Sequence, residues 1–132
     1  MSIIQAMDHF TVLSGDLAKT RDFYSMLGLR EGDRPNFKFP GIWFYSGDRP
    51  ILHVIAGREL PKEAAGVIDH MAFRAKDLAG TVDKLKSRRL EYELRRLPDP
   101  YRTWQLFFRD PFGAMVELDF DPDEEAPAGW QG

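Results

Sequence analysis

Four side chains of this sequence could bind or activate an oxygen-containing ligand: its three histidines, His9, His53 and His70, and Glu117. Glu117 lies in the apolar stretch Ala-Met-Val-Glu-Leu-Asp-Phe, where burying an unpaired carboxylate costs several kcal/mol. A bound metal ion, or a role as a buried base, would offset that cost. Because the chain has no cysteine, a metal site must use nitrogen and oxygen ligands. Two imidazoles and one carboxylate leave positions open for a substrate, which suits Fe(II), Mn(II), Ni(II) or Zn(II).

An internal repeat relates these four residues in pairs. A shift of 61 positions places MDHFTVLSGDLAKTRDFYSMLGL on IDHMAFRAKDLAGTVDKLKSRRL and so carries His9 onto His70. A shift of 64 positions, near the end of each half, carries His53 onto Glu117. A single histidine in a strand is usually structural, but equivalent positions in two copies favour a shared role. We therefore expect His9, His70 and Glu117 to bind a metal.

Elements of two kinds must position these residues. In the first half we expect a strand at 7–13, a helix at 17–27 capped by Asp16, and strands at 30–34, 42–46 and 51–56. In the second half we expect a strand at 67–74, a helix at 77–89 capped by Asp77, and strands at 91–96, 103–109 and 114–120. The residues at 57–66 form the linker, and the acidic segment from Asp121 is expected to be mobile.

The fold class that follows is α+β, a single domain of two βαβββ modules in tandem, at 7–56 and 67–120. Such modules leave one face of a curled mixed sheet as a trough in which a ligand can bind.

The acids beside the candidate ligands are weaker candidates. Asp8 and Asp69 each precede a histidine, so strand alternation predicts that they point to the opposite face. Asp119 shares the face of Glu117 but is expected at a strand end, near solvent. The candidate substrate-pocket residues are Phe39, Trp43 and Tyr101.

Composition limits the classes of partner. The net charge is −3 and there is no long basic tract, which argues against nucleic acid and anionic membranes. No apolar run approaches the roughly 20 residues of a membrane span, and the first residues do not resemble a signal peptide. We expect a cytoplasmic protein that binds a small molecule.

The sequence resembles the superfamily of glyoxalases, bleomycin-resistance proteins and extradiol dioxygenases, also called vicinal oxygen chelate proteins. Asp8-His9, the FYSMLGL at the end of the first helix, Asp69-His70 and FRDPFGAMVEL carry the resemblance, which covers about residues 7–120. It implies that His9, His70 and Glu117 are the metal ligands. It also implies a homodimer, in which the modules pair within one chain or across two.

The resemblance leaves the role of His53 open. Glyoxalase I usually has a glutamate at this position as a fourth ligand, whereas a histidine there resembles the acid/base histidine of extradiol dioxygenases. Phe107 stands about where ring-cleaving members usually keep a tyrosine. The metal set argues against pure drug sequestration, and the potassium-loop signature of fosfomycin-modifying members is not found.

Three hypotheses follow from the resemblance. The first is a dioxygenase-type enzyme with Fe(II) favoured, in which a vicinal diol or enediol chelates the metal and His53 moves a proton. The second is a glyoxalase-like lyase or isomerase that forms an enediolate. The third is a protein that only binds a small molecule.

Overall fold

The protein folds as two βαβββ modules, as the sequence predicts. The computed structural model describes residues 2–64 and 66–132. The chain divides into two compact units, Met1–Lys62 and Glu63–Gly132, and the division falls within the linker expected at 57–66.

The two units have the same order of elements and the same sheet topology. The first unit contains β1 (Phe10–Ser14), α1 (Leu17–Met26), β2 (Arg30–Gly32), β3 (Gly41–Ser46) and β4 (Arg49–Ala56). The second contains β5 (Met71–Arg74), α2 (Leu78–Ser87), β6 (Tyr92–Arg96), β7 (Trp104–Arg109) and β8 (Met115–Phe120). The sheets run β1-β4-β3-β2 and β5-β8-β7-β6, and in each the first pair is parallel and the others antiparallel. The repeat in the sequence is therefore a repeat of structure.

Aspartates start both helices, as predicted. The Asp16 carboxylate accepts hydrogen bonds from the first backbone N–H groups of α1, and Gly28, with φ of 96°, follows its end. Asp77 accepts from the backbone N–H of Gly80 at the start of α2. The helices are ten residues long, and neither is long or apolar enough to span a membrane.

The core of each unit lies between its helix and one face of its sheet. In the first unit Phe23 and Tyr24 of α1 are buried, and the Tyr24 and Phe44 rings lie 5.6 Å apart. Alternation along β4 buries Leu52 and Val54 and leaves His53 on the other face. The buried hydrophobic residues of the second unit include Met71, Leu78, Val82, Leu85, Trp104, Leu106, Phe108, Val116, Leu118 and Phe120. The sheet faces away from the helices are thus free to carry polar side chains.

The acidic tail differs from the mobile segment that we expected. The Trp104 indole N–H donates to the backbone oxygen of Glu124, at 2.9 Å, and the Trp130 ring meets Trp104 edge to face, at 4.8 Å. The Glu124 carboxylate accepts from the backbone N–H of Leu78 at the start of α2, at 2.7 Å. An acidic composition predicts solvation, but it does not reveal the contacts of single tryptophan and glutamate side chains.

Candidate functional site

His9 and His70 stand at equivalent points, each one residue before the first strand of its unit. His9 Nδ1 bonds to the Asp8 carboxylate at 2.7 Å, and His70 Nδ1 bonds to the Asp69 carboxylate at the same distance. Each aspartate fixes its imidazole and leaves Nε2 as the outward nitrogen, which is the arrangement that metal-binding histidines usually have. The bond to His9 lowers the pKa of Asp8, and the bond to Asp69 raises the pKa of His70.

These pairs correct the prediction that Asp8 and Asp69 face away from the histidines. The strands begin at Phe10 and Met71, so the Asp-His dipeptides lie outside the regular pleat. Strand alternation does not apply there, and the short carboxylate folds back to the neighbouring ring. The repetition of Asp-His in both halves was a signal that could have revealed this arrangement.

Glu117 is buried beside His70. Its side chain lies on β8, the residue is 5% exposed, and Oε1 is 2.8 Å from His70 Nε2. Its Oε2 accepts a hydrogen bond at 3.1 Å from the amide of Gln105 on the neighbouring strand β7. The Phe107 ring meets the imidazole of His70 edge to face, at 5.8 Å. The carboxylate is therefore partnered at both oxygens. Gln105 was not predicted, because a single sequence carries no sign of this cross-strand contact.

Asp119 is half-buried near the end of β8. One of its carboxylate oxygens, Oδ1, is buried and has no hydrogen-bond partner among the described residues. Burial raises the pKa of Asp119 to about 7, and the hydrogen bond and charge of Glu117 add to the rise. The carboxyl groups of Glu117 and Asp119, on one face of β8, thus lie close enough to interact.

His53 is held between two rings in the first unit. The His9 ring stacks on it with centroids 3.7 Å apart, and the Trp43 ring stacks on it at 3.9 Å. Its Nε2 is 3.1 Å from the backbone oxygen of Pro50. Because a carbonyl oxygen only accepts, Nε2 carries the proton and Nδ1 keeps a lone pair. Burial lowers the pKa of His53, and the charge of His9 lowers it further.

The structure therefore brings His9 to His53 in the first unit and His70 to Glu117 in the second, which are the two pairs that the repeat relates. Within 2–64 and 66–132 no three His, Asp or Glu side chains are grouped so as to hold a metal ion.

The donor chemistry fits a divalent metal. His70 faces a carboxylate oxygen from each ring nitrogen, so the raised pKa of this imidazole reflects an excess of negative charge around it. A cation bound to Nε2 and to Glu117 would balance that charge in place of the proton. His9 has the same Asp-fixed orientation, which suits it as another nitrogen ligand.

Two of the three predicted pocket residues meet in the first unit. Phe39 and Trp43 line a cavity of about 150 Å³ that also includes His53. Tyr101 lies in the second unit, before β7, and is 69% exposed.

The fold has well-matched relatives among solved structures. A glyoxalase family protein from Bacillus anthracis has a TM-score of 0.73 at 22% identity, covering 92% of this chain and 98% of that chain. A fosfomycin resistance protein from Listeria monocytogenes, in a mutant complex with Mn(II) and 1S,2S-dihydroxypropylphosphonic acid, has a TM-score of 0.71 at 17% identity, with coverages of 90% and 94%. The lactoylglutathione lyase from Agrobacterium tumefaciens has a TM-score of 0.64 at 19% identity, with coverages of 90% and 96%.

Sequence comparison agrees with the fold. Glyoxylase I 4 from Arabidopsis thaliana is 28% identical over an alignment of 124 positions, and the match covers 87% of this chain and 70% of that protein. The family model of the glyoxalases matches residues 6–118. Because this match spans most of the chain, including both Asp-His pairs, the chain belongs to the Glyoxalase/Bleomycin resistance protein/Dioxygenase superfamily.

Proposed function

We propose that the protein is a divalent-metal-dependent enzyme that acts on a small substrate through two oxygen atoms. The observation that carries the proposal is the pair of Asp-fixed histidines, one of which faces the buried carboxylate of Glu117. His9, His70 and Glu117 would hold the metal, with Fe(II) favoured and Mn(II), Ni(II) or Zn(II) as alternatives. When bound, such a metal would polarise the chelated oxygens and lower the pKa of a hydroxyl group.

The residues of the chain supply proton transfer and orientation. His53 has a lone pair on Nδ1, because its Nε2 proton is directed to Pro50, and it can accept a proton from the substrate. Stacking against Trp43 and His9 holds its ring in place. Gln105 holds the second oxygen of Glu117, so that the carboxylate keeps one orientation.

The first reaction that we propose is of the dioxygenase type. The substrate is an aromatic vicinal diol or another enediol, His53 accepts a hydroxyl proton and returns it to the product, and both atoms of O₂ enter the product as the carbon–carbon bond between the two oxygen-bearing carbons breaks. The resemblance of the His53 position to the acid/base histidine of extradiol dioxygenases supports this reading.

A lyase or isomerase reaction is the second candidate, and a particular observation favours it. The ring that contacts His70 is Phe107, which has no hydroxyl group for ring cleavage. Transfer of a carbon-bound proton through an enediolate needs only a base such as His53 and polarised oxygens. The curated relative named Glyoxylase I 4 is consistent with this candidate.

Two assays on the same preparation separate these reactions. Protein loaded anaerobically with Fe(II), mixed with catechol and exposed to air, should form a yellow ring-cleavage product if the first reaction is right. Protein loaded with Ni(II) or Zn(II) should convert the hemithioacetal of methylglyoxal and glutathione into a thioester if the second is right. His53→Ala is the control in both assays. Failure of both, in folded and metal-loaded protein, would leave the binding-protein hypothesis.

A further inference from the structure

The cavity beside His53 contains a positive charge that the proposed chemistry does not use. We propose that Arg34 binds a carboxylate carried by a planar, ring-containing substrate, whose ring occupies this cavity in the first unit. This inference rests on the proposed function for the identity of the ligand as substrate. The ring and its carboxylate would be the part of the substrate that lies away from the reacting oxygens.

The size and walls of the cavity suit a single ring. Its volume is about 150 Å³, and protein cavities of roughly that size bind benzene. The residues that line it include Thr11, Arg34, Phe37, Phe39, Trp43 and His53. Aromatic walls favour stacked or edge contacts with a planar ligand. A ring bound there would touch the proposed base as well as the aromatic side chains.

Arg34 has unused hydrogen-bonding capacity at this place. Its guanidinium lies 4.9 Å from the ring centre of Phe37 and 5.1 Å from that of Phe39, and Nη2 donates to the backbone oxygen of Phe39 at 2.9 Å. Its Nε is buried and has no partner within the described part of the chain. No ion pair to Arg34 is formed there either.

The guanidinium is permanently charged and has further N–H donors besides the one bound to Phe39, and a carboxylate in the cavity would balance that charge and accept from those donors. The guanidinium of Arg34 packs closely against Gly41, where there is no side chain. A Cβ atom at this position would lie 2.8 Å from Arg34 Nη2 and would also collide with the backbone oxygen of Val54. The close approach of Arg34 to β3 therefore depends on a residue without a side chain.

Benzoate is the probe for this subsite, and benzyl alcohol is its neutral counterpart. Each is titrated into the purified protein with and without added metal, by calorimetry and by the NMR shift of the Trp43 indole N–H. Benzoate should bind with the Trp43 signal shifting in both metal states, and more tightly than benzyl alcohol. In Arg34→Met, benzoate binding should weaken about 10- to 100-fold, the usual worth of a charge-assisted hydrogen bond.

Arg30→Met is the matched control, because Arg30 also lies over an aromatic ring, Tyr45, and donates to a backbone oxygen, but outside the cavity. It should bind benzoate like the unmodified protein. Equal affinity for benzoate and benzyl alcohol in the unmodified protein, or equal benzoate affinity in the two variants, would overturn the proposal. If Arg34→Met does not fold, two other measurements test the proposal. One is the comparison of benzoate with benzyl alcohol in the unmodified protein, and the other is the affinity of Arg34→Lys for benzoate.

Failure of the benzoate subsite can be distinguished from failure of the proposed enzymatic function. Benzoate binding that survives metal removal and depends on Arg34 would support the subsite even if neither enzymatic assay succeeds. Metal binding and turnover without any preference for benzoate would support the enzyme and reject the subsite.

Discussion

At the scale of single residues, His53 is defined by what surrounds each of its ring atoms. Both faces of the imidazole are covered, by His9 and Trp43, and Nε2 is directed to Pro50. Only the Nδ1 edge is left to exchange a proton. A side chain held in this way loses little conformational freedom on accepting a proton, which favours general-base catalysis.

Replacing His53 tests whether it is a base or a ligand. His53→Ala should keep the metal and lose activity by roughly 10²–10⁴-fold, because only proton transfer is removed. The checks are metal content and turnover of the reaction that the unmodified protein catalyses. Loss of the metal in a folded variant would instead make His53 a fourth ligand.

The sequence indicates candidate residues for the site, but not the contacts of their side chains. The repeat indicates His9, His70 and Glu117 as the proposed ligands, because equivalent positions can be read from spacing alone. It did not identify the contact between Gln105 and Glu117, since that contact depends on which residues of β7 and β8 become neighbours. The burial of one carboxylate oxygen of Asp119 was missed for the same reason.

At the scale of elements, helix α2 depends on two carboxylates from different parts of the chain. Asp77 binds the backbone N–H of Gly80, and Glu124, far along the chain, binds that of Leu78. Both satisfy N–H groups that have no partner within a helix, and both add negative charge at its positive end. The acidic tail is thereby attached to α2 within the second unit.

Removing the tail carboxylate should weaken this unit. Glu124→Ala should lower the free energy of unfolding by about 1 kcal/mol, the usual worth of a capping side chain. Glu125→Ala is the control, since this neighbouring residue is exposed, and it should change stability by less than about 0.5 kcal/mol. Urea unfolding of both variants measures the difference. Equal stabilities would show that the bond to Leu78 contributes nothing.

Most elements could be predicted from local signals. Helical spacing of apolar residues, the capping aspartates and Gly28 placed both helices within one or two residues of their observed ends. The strands were harder to bound, because pairing, and not propensity, decides where a strand starts. His9 and His70 were therefore assigned to strands that begin one residue later.

At the scale of the whole molecule, apolar residues precede both β1 and β5. Ile3, Ile4 and Met7 are exposed before β1, and Val67 and Ile68 are exposed before β5. Exposed apolar groups of this kind often mark surfaces that associate. They support the prediction of a homodimer, in which two modules pair within a chain or across the twofold axis.

Mixing two inactive variants tests whether sites are shared between chains. In an exchanged dimer, His9→Ala and Glu117→Ala chains together should regain metal in about a quarter to a half of the sites, depending on how the chains re-assort. Elemental analysis of the mixture measures the recovery. If heterodimers form and no metal returns, the ligands come from one chain; if sedimentation shows only monomer at micromolar concentration, the dimer is wrong.

The measurement that tests the central claim most directly is the metal content of Glu117→Ala beside that of Glu93→Ala. Glu93 is an exposed carboxylate on β6, paired with Arg95, and serves as the control. After loading with Fe(II), Mn(II), Ni(II) or Zn(II), the unmodified protein and Glu93→Ala should hold about one metal per chain. Glu117→Ala should hold almost none, with circular dichroism unchanged because the core is made by the apolar sheet faces. Near-stoichiometric metal in folded Glu117→Ala, or none in the unmodified protein, would contradict the account.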